Sequence, residues 1–277
     1  MSKMRVAAIQ INSNNVKKEN LEKADLLIGE AARCGAKYVA LPEFFNFIGP
    51  IEEEMINSEL IPEGMSTKFL SETAKKNGIW LNCGSILEKE EGNEKKHYNT
   101  SMIFNPDGNL VYKYRKLHLF DLDVNGIFSF SESDMTMAGK EIVIAKTDVG
   151  NIGMALCYDV RFPELFRIMA LEGAEILTIP ASFTLQTGKD HWKVLLRTRA
   201  IENLAYVIAP AQYGVKLKYT AYGRSKIIDP WGNVIASAPD MECVIFADID
   251  LDYVKKMRKE MPVLSNRRSD VYTLKRI

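Results

Sequence analysis

What this sequence lacks narrows the field first. No apolar run approaches the roughly 20 residues that a membrane-spanning helix needs. Neither sign of charge is in excess, since 36 Lys plus Arg stand against 36 Asp plus Glu. A nucleic-acid binder normally shows a basic surplus or stripe, so none is expected as partner. The Arg267-Arg268 and Lys275-Arg276 cluster near the end is short and reads as a solvated tail or an interface edge. Met1-Ser2-Lys3-Met4-Arg5 runs into only four apolar residues, Val6 to Ile9, too few for a signal peptide, and a cytoplasmic location is the expectation. The three histidines, His97, His118 and His191, show no metal-ligand spacing, so a zinc site is not expected. His191-Trp192 reads as a structural pair opening a helix. There is no GxSxG elbow, no GxxxxGK[ST] phosphate loop and no GxGxxG. Cysteines are few as well: Cys34, Cys83, Cys157 and Cys243 lie far apart, with no CxxC. In a reducing compartment each is a free thiol, either core filler or chemistry.

What is present is a chain of 277 residues, 47% hydrophobic, long enough to bury a sizeable core. Short apolar runs alternate with amphipathic segments. Val6–Ile11 reads as a buried strand. Val16 to Cys34 reads as a helix with Leu21, Ala24, Ile28 and Ala31-Ala32 on one face and Gly35 just past its end. Tyr38–Leu41 is the next strand, Ser66 is expected to cap a helix ending at Gly78, and Ile79–Ile86 follows as a strand. The middle is rich in hairpins, with turns at Pro106-Asp107-Gly108-Asn109, Gly150-Asn151 and Pro230-Trp231-Gly232-Asn233. Between the second and third turns, helices over 163–173 and 191–204 alternate with strands 176–179 and 206–211. A strand at 243–248 and a helix from Leu251 end the pattern. This is a mixed α/β chain, better served by two face-to-face sheets with helices outside than by one doubly wound sheet. No linker or repeat interrupts it, so residues 1–277 read as one domain.

Three positions carry chemical interest. Cys157 ends the strand Ile152–Leu156 and precedes the helix opening at Pro163, where backbone N–H groups and the dipole favour a thiolate. A buried small hydrophobe is the commoner fate of a free cysteine, and the setting alone does not decide between the two. Cys34, Cys83 and Cys243 lack that setting and read as structural. Glu43 follows Pro42 and precedes Phe44-Phe45, as either a loop charge or an acid in an apolar pocket that lifts its pKa toward a useful base. Alternation along Val111–Arg115 puts Lys116 on the face of Tyr112 and Tyr114; an inward lysine needs an anionic partner, a surface lysine needs none, and the surface reading leads until a partner is named.

Taken together, Leu41-Pro42-Glu43-Phe44-Phe45, Tyr114-Arg115-Lys116-Leu117-His118-Leu119-Phe120-Asp121 and Ala155-Leu156-Cys157-Tyr158-Asp159-Val160-Arg161-Phe162-Pro163-Glu164 resemble the three signature blocks of the nitrilase (carbon–nitrogen hydrolase) superfamily. The likeness continues through Thr187-Gly188, His191-Trp192, Arg199–Asn203, Asp229–Gly232 and Pro262-Val263, and so covers the whole chain. It implies an αββα four-layer sandwich. It also implies Cys157 as nucleophile, Glu43 as general base, Lys116 as the cation facing the tetrahedral intermediate, and Glu132 as a second glutamate beside them. The backbone N–H of Tyr158 is expected to share the oxyanion with Lys116. No metal or organic cofactor is implied, and a homodimer or larger homo-oligomer is. The apolar residues Phe162, Leu165, Ile168 and Met169 would pack either in the core or across such an interface.

The Leu-His-Leu-Phe-Asp run and the Thr-Gly…His-Trp segment look like the Nit-type branch, which contains omega-amidases and amidases of deaminated glutathione. The implied substrate is a small amide bearing a carboxylate. Arg161 is the candidate cation for that carboxylate, with an ion pair to Glu164 as the plain alternative. Phe183 and Thr184, after the 176–179 strand, are candidate pocket walls. A nitrilase, an N-carbamoyl amino acid hydrolase and a non-catalytic binding member of the family stay open as other readings.

Overall fold

The computed structural model describes residues 3–124 and 128–277; Met1 and Ser2 of the N-terminal run lie outside it. Met4–Gln10 shows why the strands read as unbroken apolar runs. Val6 and Ala8 enter one cluster of buried side chains and Ala7 and Ile9 another, because a strand covered on both faces buries both alternating sets. This strand runs parallel to Tyr38–Ala40, which runs parallel to Trp80–Asn82. Antiparallel neighbours complete the eight-stranded sheet: Cys243–Ile249 on one side and His97–Phe104 on the other. His97–Phe104 also pairs with Ile86–Lys89, Leu110–Arg115 and Thr136–Met137.

The second sheet has six strands built on the same plan. Gly150–Met154, Ile176–Thr178 and Tyr206–Ala209 are parallel, with Ile144–Thr147 and the Lys226–Ile228/Val234–Ser237 hairpin added antiparallel. The two sheets meet face to face, Val6, Ala8, Tyr38 and Ile103 of one packing with Ile152, Met154, Ile176 and Ile208 of the other. Each fully buried Ile or Val contributes roughly 1.5–3 kcal/mol relative to exposure. Polar links cross this layer too: the Tyr38 hydroxyl lies 2.8 Å from Thr178 Oγ1, and the Tyr112 hydroxyl donates to Lys146 O at 3.2 Å. Helices Lys17–Arg33 and Met65–Asn77 cover the outer face of the first sheet through Leu21, Ala24, Ile28, Leu70 and Ala74. Helices Pro163–Leu171 and Lys193–Asn203 cover the second through Leu165, Phe166, Met169, Leu196 and Ala200. The layers therefore run α, β, β, α, as the resemblance implied. Leu165, Ile168 and Met169 are buried within the chain itself, which settles them as core. No described helix is long and apolar enough to cross a membrane.

Several local expectations change. Gly64, not Ser66, takes the N-cap position of the second long helix; Ser66 lies inside it with its hydroxyl on Glu59. His191-Trp192 sits in a π-helical turn, Gly188–Trp192, just before the helix it was expected to open. The expected Ile79–Ile86 strand is two, Trp80–Asn82 and Ile86–Lys89, parted around Gly84. Continuous hydrophobicity hides the break, whose cause is a neighbour distant in sequence. Gly84 has φ +68° and packs so closely on the Leu41 and Pro42 carbonyls that a Cβ there would collide with both. Leu41 N–H donates to Asn82 O (3.0 Å) and Phe44 N–H to Ser85 Oγ (3.0 Å), laying the Pro42–Phe44 segment along residues 82–85.

Gly84→Ala is therefore expected to destabilise the fold by about 2 kcal/mol or more, from left-handed strain plus the clash. A thermal unfolding midpoint lowered by about 4–8 °C would check this, and an unchanged midpoint would contradict the packing described.

Candidate active site

Four segments bring the chemistry-bearing residues together where their strands end. Tyr38–Ala40 delivers Glu43, Leu110–Arg115 delivers Lys116, Gly150–Met154 delivers Cys157, and the 3-10 turn Glu132–Asp134 delivers Glu132. The carboxyl ends of strands are where open α/β sheets gather their sites. Lys116 does face inward, and its partners are two carboxylates: Nζ lies 2.8 and 3.0 Å from the Glu132 oxygens and 3.2 Å from Glu43 Oε1. Glu132 is held by the Phe120 N–H at 2.6 Å, so the loop that looked patternless in sequence is fixed by the segment just after Lys116.

Cys157 opens a 3-10 turn, Cys157–Arg161, with φ +42°, a left-handed backbone uncommon for any residue but glycine. Its N–H donates to Pro180 O at 2.8 Å. Asp159, fully buried, ties this turn to the Lys116 segment. Its carboxylate accepts from Leu156 N (2.8 Å), the Tyr114 hydroxyl (2.6 Å) and His118 N (3.1 Å), and lies 2.7 Å from His118 Nδ1. The His118 ring in turn stacks on Phe162 at 3.7 Å. Thiol and lysine are thus set against each other by one carboxylate that belongs to neither.

Electrostatics assign protons to the group. Burial pushes the Cys157 thiol well up, and the Glu43 charge adds to this, against the opposing pull of Lys116. A thiol so placed would need a base before it could act as a nucleophile. Burial also raises Glu43; Lys116 pulls it back down and Glu132 raises it again. For Lys116 burial acts to lower the pKa, but Glu132 and Glu43 outweigh it and hold the ammonium well above its ordinary range. Lone-pair counting then distinguishes the Glu43 oxygens. Oε1 already accepts from Lys116 and from Asn99 Nδ2 (2.9 Å), while Oε2 accepts only the Ser182 N–H (2.9 Å). Oε2 is therefore the Glu43 oxygen with room for a further proton.

A cavity of about 290 Å³ opens over Cys157 and reaches Glu43, Lys116 and Glu132. All four residues expected at the substrate line it: Tyr158, Arg161, Phe183 and Thr184. Arg161 does not meet Glu164. Its guanidinium nitrogens lie 3.3 Å from His191 Nδ1, and its charge sits 5.4 Å from the Phe183 ring and 5.8 Å from Tyr158. Among the described residues no carboxylate forms an ion pair with the Arg161 guanidinium. Residues 216–219, in the Tyr213–Val215/Thr220–Tyr222 hairpin, wall another side. Lys216 there is buried with three neutral acceptors, Asn12 Oδ1, Ser13 O and Gln212 Oε1, and burial brings its pKa down to about 7. Cys83, buried with its sulfur accepting the Met102 N–H, has its thiol pushed up to about 12 by burial and is inert filler.

Sequence reasoning missed Asn99, Ser182 and Tyr219, all in contact with this group. Tyr219 reaches Ser182 Oγ at 2.6 Å. Asn99 left one signal: His97 to Ser101 is a polar half-strand leading into apolar Met102-Ile103-Phe104. Among the described residues no group of three or more His, Cys, Asp or Glu is placed to hold a metal ion.

The carbon–nitrogen hydrolase family profile matches residues 5–259. The chain is 44% identical to the omega-amidase NIT2 of Danio rerio over 279 residues, covering 99% of this chain and 98% of that protein. Among solved structures, the Caenorhabditis elegans NitFhit protein superposes with a TM-score of 0.92 at 40% identity, over 99% of this chain and 67% of that one. Saccharomyces cerevisiae Nit3, a member of branch 10 of the nitrilase superfamily, gives 0.87 at 36% identity over 96% and 97%. The chain belongs to the carbon–nitrogen hydrolase family of the nitrilase superfamily, and is a hydrolase of carbon–nitrogen bonds.

Glu43 in the role of general base that the resemblance implies would have to be ionised, and burial lifts its pKa, which sets the sign of a pH effect. On falling pH, kcat/KM for an amide is expected to drop through an apparent pKa above the ordinary glutamate value of about 4.3. A pH profile whose acidic limb lies at or below that value would contradict the assignment of Glu43 as an acid in an apolar, anion-flanked site.

Proposed function

We propose that the chain hydrolyses the amide bond of a small carboxylate-bearing amide, an omega-amide of an α-keto acid above others, through a thioester on Cys157. The carrying observation is the placement of Cys157, Glu43 and Lys116 within one buried group under a cavity whose wall presents the uncancelled charge of Arg161. Outside the reacting group, the described residues of the wall include the cations Arg161 and Lys218 against the acid Glu54, which pairs with His97 at 3.1 Å. Such a lining attracts an anion. The names of the relatives, omega-amidases at 42–44% identity, favour the omega-amide over deaminated glutathione.

In this mechanism Glu43 Oε2 takes the thiol proton as Cys157 Sγ bonds to the amide carbon. The carbonyl oxygen becomes an alkoxide, held by Lys116 Nζ and the Tyr158 N–H. Glu43 returns the proton to the amide nitrogen, the C–N bond breaks, and ammonia leaves. Water then gives a proton to Glu43 and its hydroxide attacks the thioester carbon. The C–S bond breaks, and the sulfur recovers the proton as the free acid departs. Sulfur suits this work because thiolates are strong nucleophiles even at low population. Lys116, kept cationic by two carboxylates, stays available as an oxyanion partner; losing one such donor typically costs about 100- to 1,000-fold in turnover.

Ammonia and acid release from α-ketoglutaramate, deaminated glutathione, an N-carbamoyl amino acid and a simple nitrile, measured side by side, tests the substrate class. The α-keto omega-amide is expected to lead, and a strong preference for the nitrile would overturn the ranking. Cys157→Ala is expected to abolish turnover with the fold intact; substantial remaining activity, or no activity of the unaltered protein toward any of the four, would sink the catalytic reading. Arg161→Met is expected to raise KM about 10- to 100-fold for a carboxylated amide, the worth of one charged hydrogen bond, and to leave a neutral amide unaffected. Equal losses on both amides would remove Arg161 from substrate recognition.

A further inference from the structure

We infer that Asn99 is a positioning residue of the hydrolytic site, whose side-chain amide lets Glu43 and Glu132 stand ionised together around one lysine and turns the free Glu43 oxygen to the thiol. Asn99 lies in the His97–Phe104 strand and is fully buried. Its Nδ2 is 2.9 Å from Glu43 Oε1 and 3.4 Å from Glu132 Oε1, one hydrogen for each carboxylate. Its backbone carbonyl accepts the Lys116 N–H at 2.9 Å. One residue therefore touches three of the four members of the group.

The amide orientation follows from chemistry. Turned over, it would aim its oxygen at two carboxylates. In the present orientation Asn99 Oδ1 is buried and has no hydrogen-bond partner among the described residues. Leaving such an acceptor unpaired costs about 1–3 kcal/mol, which an apolar residue at this strand position would avoid. A purely structural site has no use for that cost; a site that must keep two acids charged does. Two carboxylates sharing one cation tend to trap a proton between them. An amide supplies two donors that no working pH removes, and by filling Glu43 Oε1 it leaves Oε2 as the proton acceptor. The titratable groups facing it are Glu43, Glu132 and Lys116, with Cys157 and Tyr219 beyond them.

The inference rests on Glu43 as the base, so the test separates the two. Asn99→Ala and Asn99→Asp are compared with Glu43→Gln and with Thr100→Val. Thr100, the next residue in the strand, bonds Glu88 away from the site. Thermal unfolding establishes which variants fold, and kcat, KM and the pH profile of kcat/KM are read on the best amide of the substrate panel. For Asn99→Ala, kcat is expected to fall about 10- to 100-fold, the worth of a hydrogen bond to a charged group, with KM little changed and the acidic limb moved to higher pH. Asn99→Asp, which adds a third negative charge in the same shape, is expected to move the limb further, and carries the test if the alanine variant does not fold. Thr100→Val is expected to lower stability and leave the limb in place. A folded Asn99 variant with unaltered kcat and limb overturns the inference, as does a Thr100→Val limb displaced as far as that of Asn99→Ala. Retained turnover in Glu43→Gln would remove the base itself, whereas an inactive Glu43→Gln beside a wild-type-like Asn99→Ala would remove only the role given to Asn99.

Discussion

A lysine ammonium buried between two carboxylates is the interaction on which the rest of this molecule depends. Lys116 has almost no contact with solvent, and no lone charge survives there. Glu132 and Glu43 make its burial tolerable, and the lysine does the same for them. Each of the three comes from a different stretch of chain, so the ion group forms only when the fold is complete. Breaking such a buried group by removing one partner is far more damaging than its net contribution suggests, because the charges left behind lose their compensation. The site is in this sense a folding constraint as well as a chemical device.

Two neighbouring features follow from that constraint. Burial and the Glu43 charge both push the Cys157 thiol upward, against the pull of Lys116, so the setting disfavours a standing thiolate. Arg161, in contrast, has no ion pair among the described residues and rests on His191 and two aromatic faces. The protein thus neutralises charge with care around the reacting atoms and leaves it open on the cavity wall.

The sandwich was legible from sequence wherever one segment's pattern sufficed. Tyr38–Ala40, the 97–115 hairpin and the helix after Arg161 follow from local apolar periodicity and turn chemistry, while alternation set Lys116 on the face of Tyr112 and Tyr114 without deciding whether it points inward. The positions that failed depend on partners far away in the chain. Gly84 interrupts a strand because the Pro42 segment presses on it, and Asn99 looks like an ordinary strand residue until Glu43, 56 positions earlier, is brought beside it. Cys157 stood between these cases. Its strand-to-turn setting was readable, but nothing local indicated the left-handed backbone or the Asp159 clamp that fixes it. The resemblance supplied what local pattern did not, and the likeness to Nit3 and NitFhit bears out the fold and family it implied.

The cross-sheet hydrogen bond between Tyr38 and Thr178 acquires a meaning beyond packing once the origin of each site residue is considered. Glu43 and Lys116 follow strands of the first sheet, Cys157 follows a strand of the second, and Tyr38 and Thr178 sit on the strands leading to Glu43 and to the Pro180–Ser182 segment. Catalytic geometry is therefore a vernier on how the two sheets are aligned. A slip of one sheet over the other, too small to unfold either, would separate acid from thiol while leaving every helix and strand intact.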